Sequence, residues 1–314
     1  MATVTFLLPA AGAFGAQRPR QQGAAHLGRA DRLPPATAGR QAQLLRHFRL
    51  LPQRWPIAAI SRQADAGDAV GAAWLRADPA WVRPDINGAR LLACGQDLQL
   101  TAADAETLLK TLRPVFGDAG CPIDAPHPSR WYVRLPAEAG LPPSIPPAEA
   151  IGTDLADHLH GEDAIPRRWR ALLSEAQIIL HNHPLNAERA GRGLGPVNSL
   201  WFWGGGVLPD QVDTAHAGVM TVEEELHALA LASGVPVMEL PAEFDADSAA
   251  TLIDLRALRD LRLFADAWLL PALAALAGGR LGALKLDMED GAGYSFGPRQ
   301  RWRFWRGAQA SLTQ

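Results

Sequence analysis

Residues 181–206 concentrate side chains that can hold an anion. They read His181-Asn182-His183-Pro184-Leu185-Asn186, then Arg189, Arg192, Gly193, Pro196 and Asn198, then Trp201-Phe202-Trp203-Gly204-Gly205-Gly206. A guanidinium such as Arg189 can grip a phosphate or carboxylate with two parallel hydrogen bonds. The amides of Asn186 and Asn198 can fix the orientation of what is held. Glycines after a strand, here Gly204 and Gly206, let backbone N–H groups approach an anion closely. A plainer use fits the same residues: His183 and the asparagines satisfy loop backbone while the glycines make a turn. Residue chemistry alone leaves both readings open.

Other constellations carry less. Asp154, Asp157, His158 and His160 are of the types that ligate divalent ions, and equally of the types found in a solvated loop. The tail from Arg299 to Arg306 interleaves arginines with Trp302, Phe304 and Trp305, a composition that can stack on and neutralise nucleic acid. A strand with Trp302 and Phe304 inward explains it more simply, so nucleic acid is not expected as a partner. No Gly-x-Ser-x-Gly elbow, Walker loop or dinucleotide fingerprint is present. The net charge of −3 gives no general attraction to polyanions or acidic membranes. Cys94 and Cys121 are too few for a disulfide framework and read as packed thiols in a reducing compartment. Lys110 and Lys285 are the only lysines, an arginine bias that suggests a high-GC bacterial source.

The elements that must position these residues alternate between strand and helix. Val4, Phe6 and Leu8 alternate as a buried strand; the run lacks a basic leader and breaks at Pro9, so a cytoplasmic protein is expected rather than an exported one. No stretch is apolar enough for a membrane span. Helix is predicted at 41–51, strands at 72–78 and 89–94, the second after the turn signal Asn87-Gly88. A helix follows Thr101, capped by its hydroxyl and by Asp104, with Ala105, Leu108, Leu109 and Leu112 on one face and Pro114 as its limit. Strand 131–135, a proline-rich loop over 136–150 and a helix over 166–180 come next. A strand at 199–203 runs into the glycines. Thr221 with Glu224 forms a capping box, 235–240 reads as a strand, 251–276 as one or two helices, and 281–287 and 300–306 as strands. With 314 residues, 48% of them hydrophobic, the chain can bury a core in one large or two medium domains. The alternation argues for α/β.

The spacing His183-Pro-x-Asn186-x-x-Arg189-x-x-x-Gly193-x-x-Pro196-x-Asn198, followed by Trp201-x-Trp203-Gly204-x-Gly206, resembles without a gap the segment that follows the inserted substrate domain in archaeal-type cofactor-independent phosphoglycerate mutases. Weaker agreement runs upstream: 72–78 resembles that family's strand with a central arginine, here Arg76, and 131–135 its strand with another, here Arg134. The resemblance covers roughly residues 60–235. The whole pattern also resembles a bacterial offshoot often labelled RpfE-type regulatory protein.

The resemblance implies a reduced alkaline-phosphatase-like α/β sheet with helices on both faces, formed by 1–58 and 199–314, with a smaller inserted α/β domain over 59–198. It implies a ligand site made of His183, Asn186, Arg189, Asn198, Gly204, Gly206, Arg76 and Arg134. The family's chemistry uses two divalent metals, usually manganese, held by Asp and His, beside a Ser or Thr that carries phosphate. In this chain the first strand runs into Pro9-Ala10-Ala11-Gly12, with no carboxylate. No Asp-His-Ser/Thr motif follows later; the late candidates are Asp287, Glu289 and Asp290, and no histidine follows His227. The string Asp213-Thr214-Ala215-His216 imitates part of the nucleophile segment in the wrong place and is read as coincidence. The expectation is a pseudoenzyme without cofactor that binds a small anionic metabolite, with a regulatory protein as a possible partner. The alternative is an active mutase or phosphatase with manganese on relocated ligands.

Overall fold

The computed structural model describes residues 2–19, 21–85, 88–142, 145–152, 164–248, 251–303 and 305–309. The Asn87 turn and the Asp154, Asp157, His158 and His160 candidates lie outside the described residues. The chain begins with β1 (Thr3–Leu8), α1 (Gln21–Arg29), β2 (Asp31–Arg32), α2 (Arg40–Leu45) and β3 (Phe48–Leu51). Next come α3 (Ile57–Ala66), β4 (Ala73–Asp85), β5 (Gly88–Cys94), α4 (Ala102–Asp118), β6 (Ile123–His127) and β7 (Arg130–Leu135). The short α5 (Pro147–Ala150), α6 (Ala164–His181), α7 (Leu185–Gly191) and β8 (Ser199–Val207) follow. The last part holds β9 (Gln211–Thr214), β10 (Val219–Met220), α8 (Glu224–Ala232), β11 (Val237–Met238) and β12 (Leu252–Asp254). After α9 (Leu261–Leu263), a π-helical stretch (Phe264–Leu269) and α10 (Leu270–Ala277) come β13 (Ala283–Met288) and β14 (Gly293–Phe296).

Two compact units result: Met1–Leu50 with Gln211–Gln314, and Leu51–Asp210. The boundaries therefore fall at 50/51 and 210/211 rather than at 58/59 and 198/199. The reason is local. β8 is hydrogen-bonded along β4, from Ala73 opposite Val207 to Ala80 opposite Ser199, and so belongs to the second unit's sheet.

The first unit is built on a sheet of order β11-β10-β12-β1-β13-β14-β2. β11, β10, β12, β1 and β13 run parallel; β14 and β2 close the edge antiparallel. Alternation sorts the central strands. Phe6, Leu8, Ile253, Leu284 and Leu286 point into a core with Leu27, Phe264, Trp268 and Ala272. Phe6 meets Phe244, Phe264 and Trp268 edge-on, with ring centroids 5.7, 6.4 and 6.1 Å away; such pairs add about 0.5–1.5 kcal/mol each beyond area burial. In-register Leu7, Asp254 and Asp287 share the opposite face at the carboxyl ends of three parallel strands.

The second unit has a five-stranded antiparallel sheet, β5-β4-β7-β6 with β8 on the other edge of β4. Ala73, Leu75 and Ala77 of β4 face α4 and α6 through Leu108, Leu112, Phe116, Trp169 and Leu173. Trp74, Arg76 and Asp78 face the other way. Arg76 lies over the rings of Tyr132 and Trp203, 5.4 and 5.1 Å from their centroids, and Arg62 of α3 lies 4.3 Å from Trp74. A cationic and aromatic layer thus replaces aliphatic packing there.

Several local expectations change. Pro114 does not end α4, which runs on to Asp118; the proline sits on the exposed side while Phe116 anchors the last turn. The predicted helix at 41–51 divides into α2 and β3. Residues 252–254 form a strand, because their three side chains are buried between β10 and β1. Residues 298–302 form a 3-10 turn rather than a strand, and Trp302 is 62% exposed instead of inward. Thr221 does not cap α8: its hydroxyl donates to Asp254, and Glu223 caps the helix through the N–H groups of Glu225 and Leu226. The glycines after Trp203 continue β8 to Val207.

Candidate functional site

The stretch 183–198 gathers its polar side chains as a clamp on backbone. His183 Nδ1 accepts from the Leu185 N–H at 3.2 Å, at the start of α7. The Asn186 amide donates to Leu180 O and Val197 O and accepts from Val197 N. Arg189 is fully buried; it donates to Gly195 O at 3.0 Å and Leu98 O at 2.6 Å, with Asp104 Oδ2 3.8 Å away. Burial pulls its pKa down although Asp104 acts against that. Asn198 Oδ1 accepts from Val82 N and its amide donates to Val82 O, continuing the β4 ladder by one rung past the start of β8.

The two predicted glycines serve close packing. Gly204 has φ +66°, and a Cβ there would lie 2.4 Å from Ile57 Cγ2. Gly206 has φ +157°, and a Cβ would lie 2.6 Å from Pro56 Cβ. Both positions let the start of α3 sit directly on β8.

The two predicted arginines part company. Arg76 is buried in a bidentate pair with Asp78, 2.8 Å for each bond; Asp78 also accepts from Trp203 Nε1 at 2.7 Å. Arg134 is exposed and borders a cavity of about 350 Å³ with Arg62, Asp68, Trp74, Pro122, Ile123 and Asp124. Arg62 is committed there: Nε and Nη2 bind Asp68 and Nη1 binds Asp124. Burial works against its charge, but the hydrogen bonds to Asp68 and Asp124 prevail and raise its pKa. Asp68 is lowered, first by Arg62 and more weakly by Arg134. Of the predicted set, Arg134 is the cation that faces open space.

The first unit carries a second cluster, of which the sequence reading named Asp287 but not Asp254, Arg256, Arg46 or His47. At the carboxyl edge of the parallel strands, where α/β proteins place ligands, Arg256 grips Asp254 with two bonds of 2.8 Å, and Thr221 donates to Asp254 Oδ2 at 2.9 Å. Arg256 also reaches Glu223 at 3.2 Å, and Arg40 binds the other oxygen of Glu223 at 2.7 Å. Arg46 takes both oxygens of Asp287, at 2.9 and 2.5 Å, and His47 Nε2 lies 2.8 Å from Asp287 Oδ2. Burial raises both aspartates, but bonds from Arg256 to Asp254, and from His47 and Arg46 to Asp287, hold their pKa values below the ordinary carboxylate value. Asp290, another of the late carboxylates, accepts from Ala11 N and ties down the loop after β1. The visible signal was an aspartate ending a short apolar run with an arginine two residues later.

Part of the chain is 29% identical over 102 residues to the 2,3-bisphosphoglycerate-independent phosphoglycerate mutase of Methanothrix thermoacetophila, covering 31% of this chain and 26% of that protein. It is 38% identical over 66 residues to the probable enzyme of the same name from Geobacter sulfurreducens, covering 21% of this chain and 16% of that protein. The relatives of this chain are cofactor-independent phosphoglycerate mutases. The Methanosarcina acetivorans mutase is 26% identical over 102 residues, 31% of this chain and 25% of its own. The matched segment spans about a quarter or less of the length of these mutases. No family model matches the chain. Among solved structures, the cofactor-independent phosphoglycerate mutase of Thermoplasma acidophilum has a TM-score of 0.44 at 16% identity, covering 95% of this chain and 90% of that one. A Pyrococcus horikoshii protein has a TM-score of 0.48 at 13% identity, covering 95% and 88%.

A two-metal phosphoryl-transfer centre needs carboxylates and imidazoles with free lone pairs converging on one point. The edge residues do not fit it, because each oxygen of Asp254 and Asp287 already accepts from a guanidinium. Among the described residues, no group of three or more His, Cys, Asp and Glu is arranged to hold a metal ion. No described helix is long and apolar enough to cross a membrane.

Proposed function

We propose that this chain is a diverged phosphoglycerate-mutase-like protein that does not catalyse metal-dependent phosphoryl transfer. On this reading it binds a small phosphorylated or carboxylated molecule in a regulatory role, as a member of the RpfE-type branch of an alkaline-phosphatase-like family. One observation carries the proposal: the protein's own guanidiniums, Arg256 and Arg46, occupy the carboxylates at the strand ends. Fixed cations there neutralise Asp254 and Asp287 without offering an open coordination position or an activated water. The ligand site of this proposal is the cavity bordered by Arg134, whose volume suits a three-carbon phosphorylated acid. The buried Arg189 and the half-buried Asn186 and Asn198 serve the fold.

Metal analysis with a phosphoglycerate turnover assay tests the first part. The expected result is no stoichiometric manganese and no turnover; bound manganese with turnover abolished by chelation would establish the active enzyme instead. A thermal-shift panel of phosphorylated three-carbon acids tests the second. Stabilisation by at least one acid, lost in Arg134→Ala with the apo melting point unchanged, is expected. No response to any acid, or an unaltered response in the variant, removes the cavity as the site.

A further inference from the structure

His47 and His216 lie at the two places where the chain leaves and re-enters the first unit. His47 immediately precedes β3 and His216 closely follows β9, and these strands pair as a two-stranded ladder. His47 Nδ1 is 3.0 Å from His216 Nε2, with ring centroids 5.1 Å apart. The far nitrogens are also engaged: His47 Nε2 lies 2.8 Å from Asp287 Oδ2, and His216 Nδ1 lies 3.3 Å from Thr251 Oγ1. Thr251 Oγ1 also accepts from Ala217 N, and Thr214 Oγ1, at the end of β9, donates to His47 O and accepts from His216 N, so both histidines are tied to the end of the ladder.

Counting protons along this row gives its behaviour. With both rings neutral, Thr251 donates to His216 Nδ1, His216 Nε2–H to His47 Nδ1, and His47 Nε2–H to Asp287. One added proton is accommodated by reversing the middle bonds: His47 carries the charge beside Asp287 and donates from Nδ1 to His216 Nε2, while His216 donates from Nδ1 to Thr251. A second added proton cannot be placed without two N–H groups facing each other across 3.0 Å. The surrounding charges reinforce that limit. Asp287 is the anion against His47 and also pairs with Arg46, just past α2, while Lys285 from β13 disfavours a charge on His216; Arg49 and Asp213 pair with each other across the ladder. Burial, then His47, lowers the His216 pKa to about 4.

We propose that the His47/His216 contact is a proton-operated latch on the β3/β9 ladder, closed while the pair holds at most one added proton and open when it holds two. The sign follows from the depressed folded value. The unfolded chain takes up a proton on His216 near pH 6.5 and the folded one only near 4, so the latch weakens as pH falls between those values and is fully closed above them. The upper bound on the change is roughly 300-fold.

Peptide-resolved hydrogen exchange on the full chain from pH 7 to pH 4, corrected for intrinsic rates, tests this. Protection of β3 and β9 is expected to fall by tenfold or more while the β1 and β13 amides keep theirs. In His216→Gln, which cannot charge, the same segments are expected to show no pH dependence. An unchanged wild-type ladder, a loss shared equally by β1 and β13, or the same fall in His216→Gln would each overturn the latch. If His216→Gln fails to fold, the His216 ring titration in the wild-type protein decides: a value at or above 6.5 overturns it.

Discussion

Replacing Arg256 by methionine isolates the pair that defines the carboxyl edge. Asp254 and Arg256 are 6% and 4% exposed, so neither charge is solvated. Methionine keeps much of the packed volume but removes two charge-assisted bonds, leaving Asp254 with the Thr221 hydroxyl and the backbone N–H of residue 256. Breaking a buried pair from one side costs about 3–5 kcal/mol because an uncompensated charge stays behind. Since the chain has two units, one global melting curve mixes their responses. Hydrogen exchange in β1, β12 and β13 reads the first unit directly, and the expected acceleration is about 10²- to 10⁴-fold at pH 7. The double variant Asp254→Asn with Arg256→Met removes both charges and is expected to recover more than half the loss in free energy. The pair's contribution is present above pH 3.8 and disappears as pH falls through the depressed native pKa of Asp254. A single-variant acceleration below tenfold, or a double variant no better than the single, would refute the claim that this guanidinium neutralises the edge.

Two more perturbations test the second unit. Asp78→Asn uncouples Arg76 and weakens the Trp203 contact in a site that is 1% exposed, so urea unfolding of this unit is expected to lose about 3–5 kcal/mol; a loss under 1 kcal/mol contradicts the buried pairing. Gly204→Ala strains a φ of +66° and drives a Cβ against Ile57, with an expected cost of about 1–3 kcal/mol. Ile57→Ala in the same chain relieves the contact but not the backbone strain, so combining them is expected to cost less than the sum of the two single changes; strict additivity would mean that the close approach is absent.

Sequence legibility followed how locally each feature is specified. The α4 start was readable because Thr101 and Asp104 cap each other within three residues, and that reciprocal pair is present in the folded chain. The apolar stripe of α6 was readable from its period: Trp169, Leu172, Leu173, Ala176 and Leu180 are all buried. β12 was not, because three residues flanked by helix-like composition carry no period of their own. The His47/His216 contact joins residues 169 apart, and nothing near either one signals the other. The 183–206 stretch was conspicuous as a motif, but its residue types could not say whether the donors turn toward a ligand or toward the chain. Position decided that: Arg189 is enclosed, whereas Arg134, the weaker motif element, faces a cavity.

The Asn198 rung has a consequence for how copies of the chain meet. β8 covers β4 only as far as Ala80, opposite Ser199, and from there the same edge of β4 would be open to a foreign strand. Asn198 occupies both backbone groups of Val82. By the alternation of the ladder, the next residue whose backbone points to that side is Pro84, which has no N–H to offer. A side-chain amide followed by a proline thus ends the edge without a free donor, closing to intermolecular strand addition a border that the sheet itself leaves unfinished.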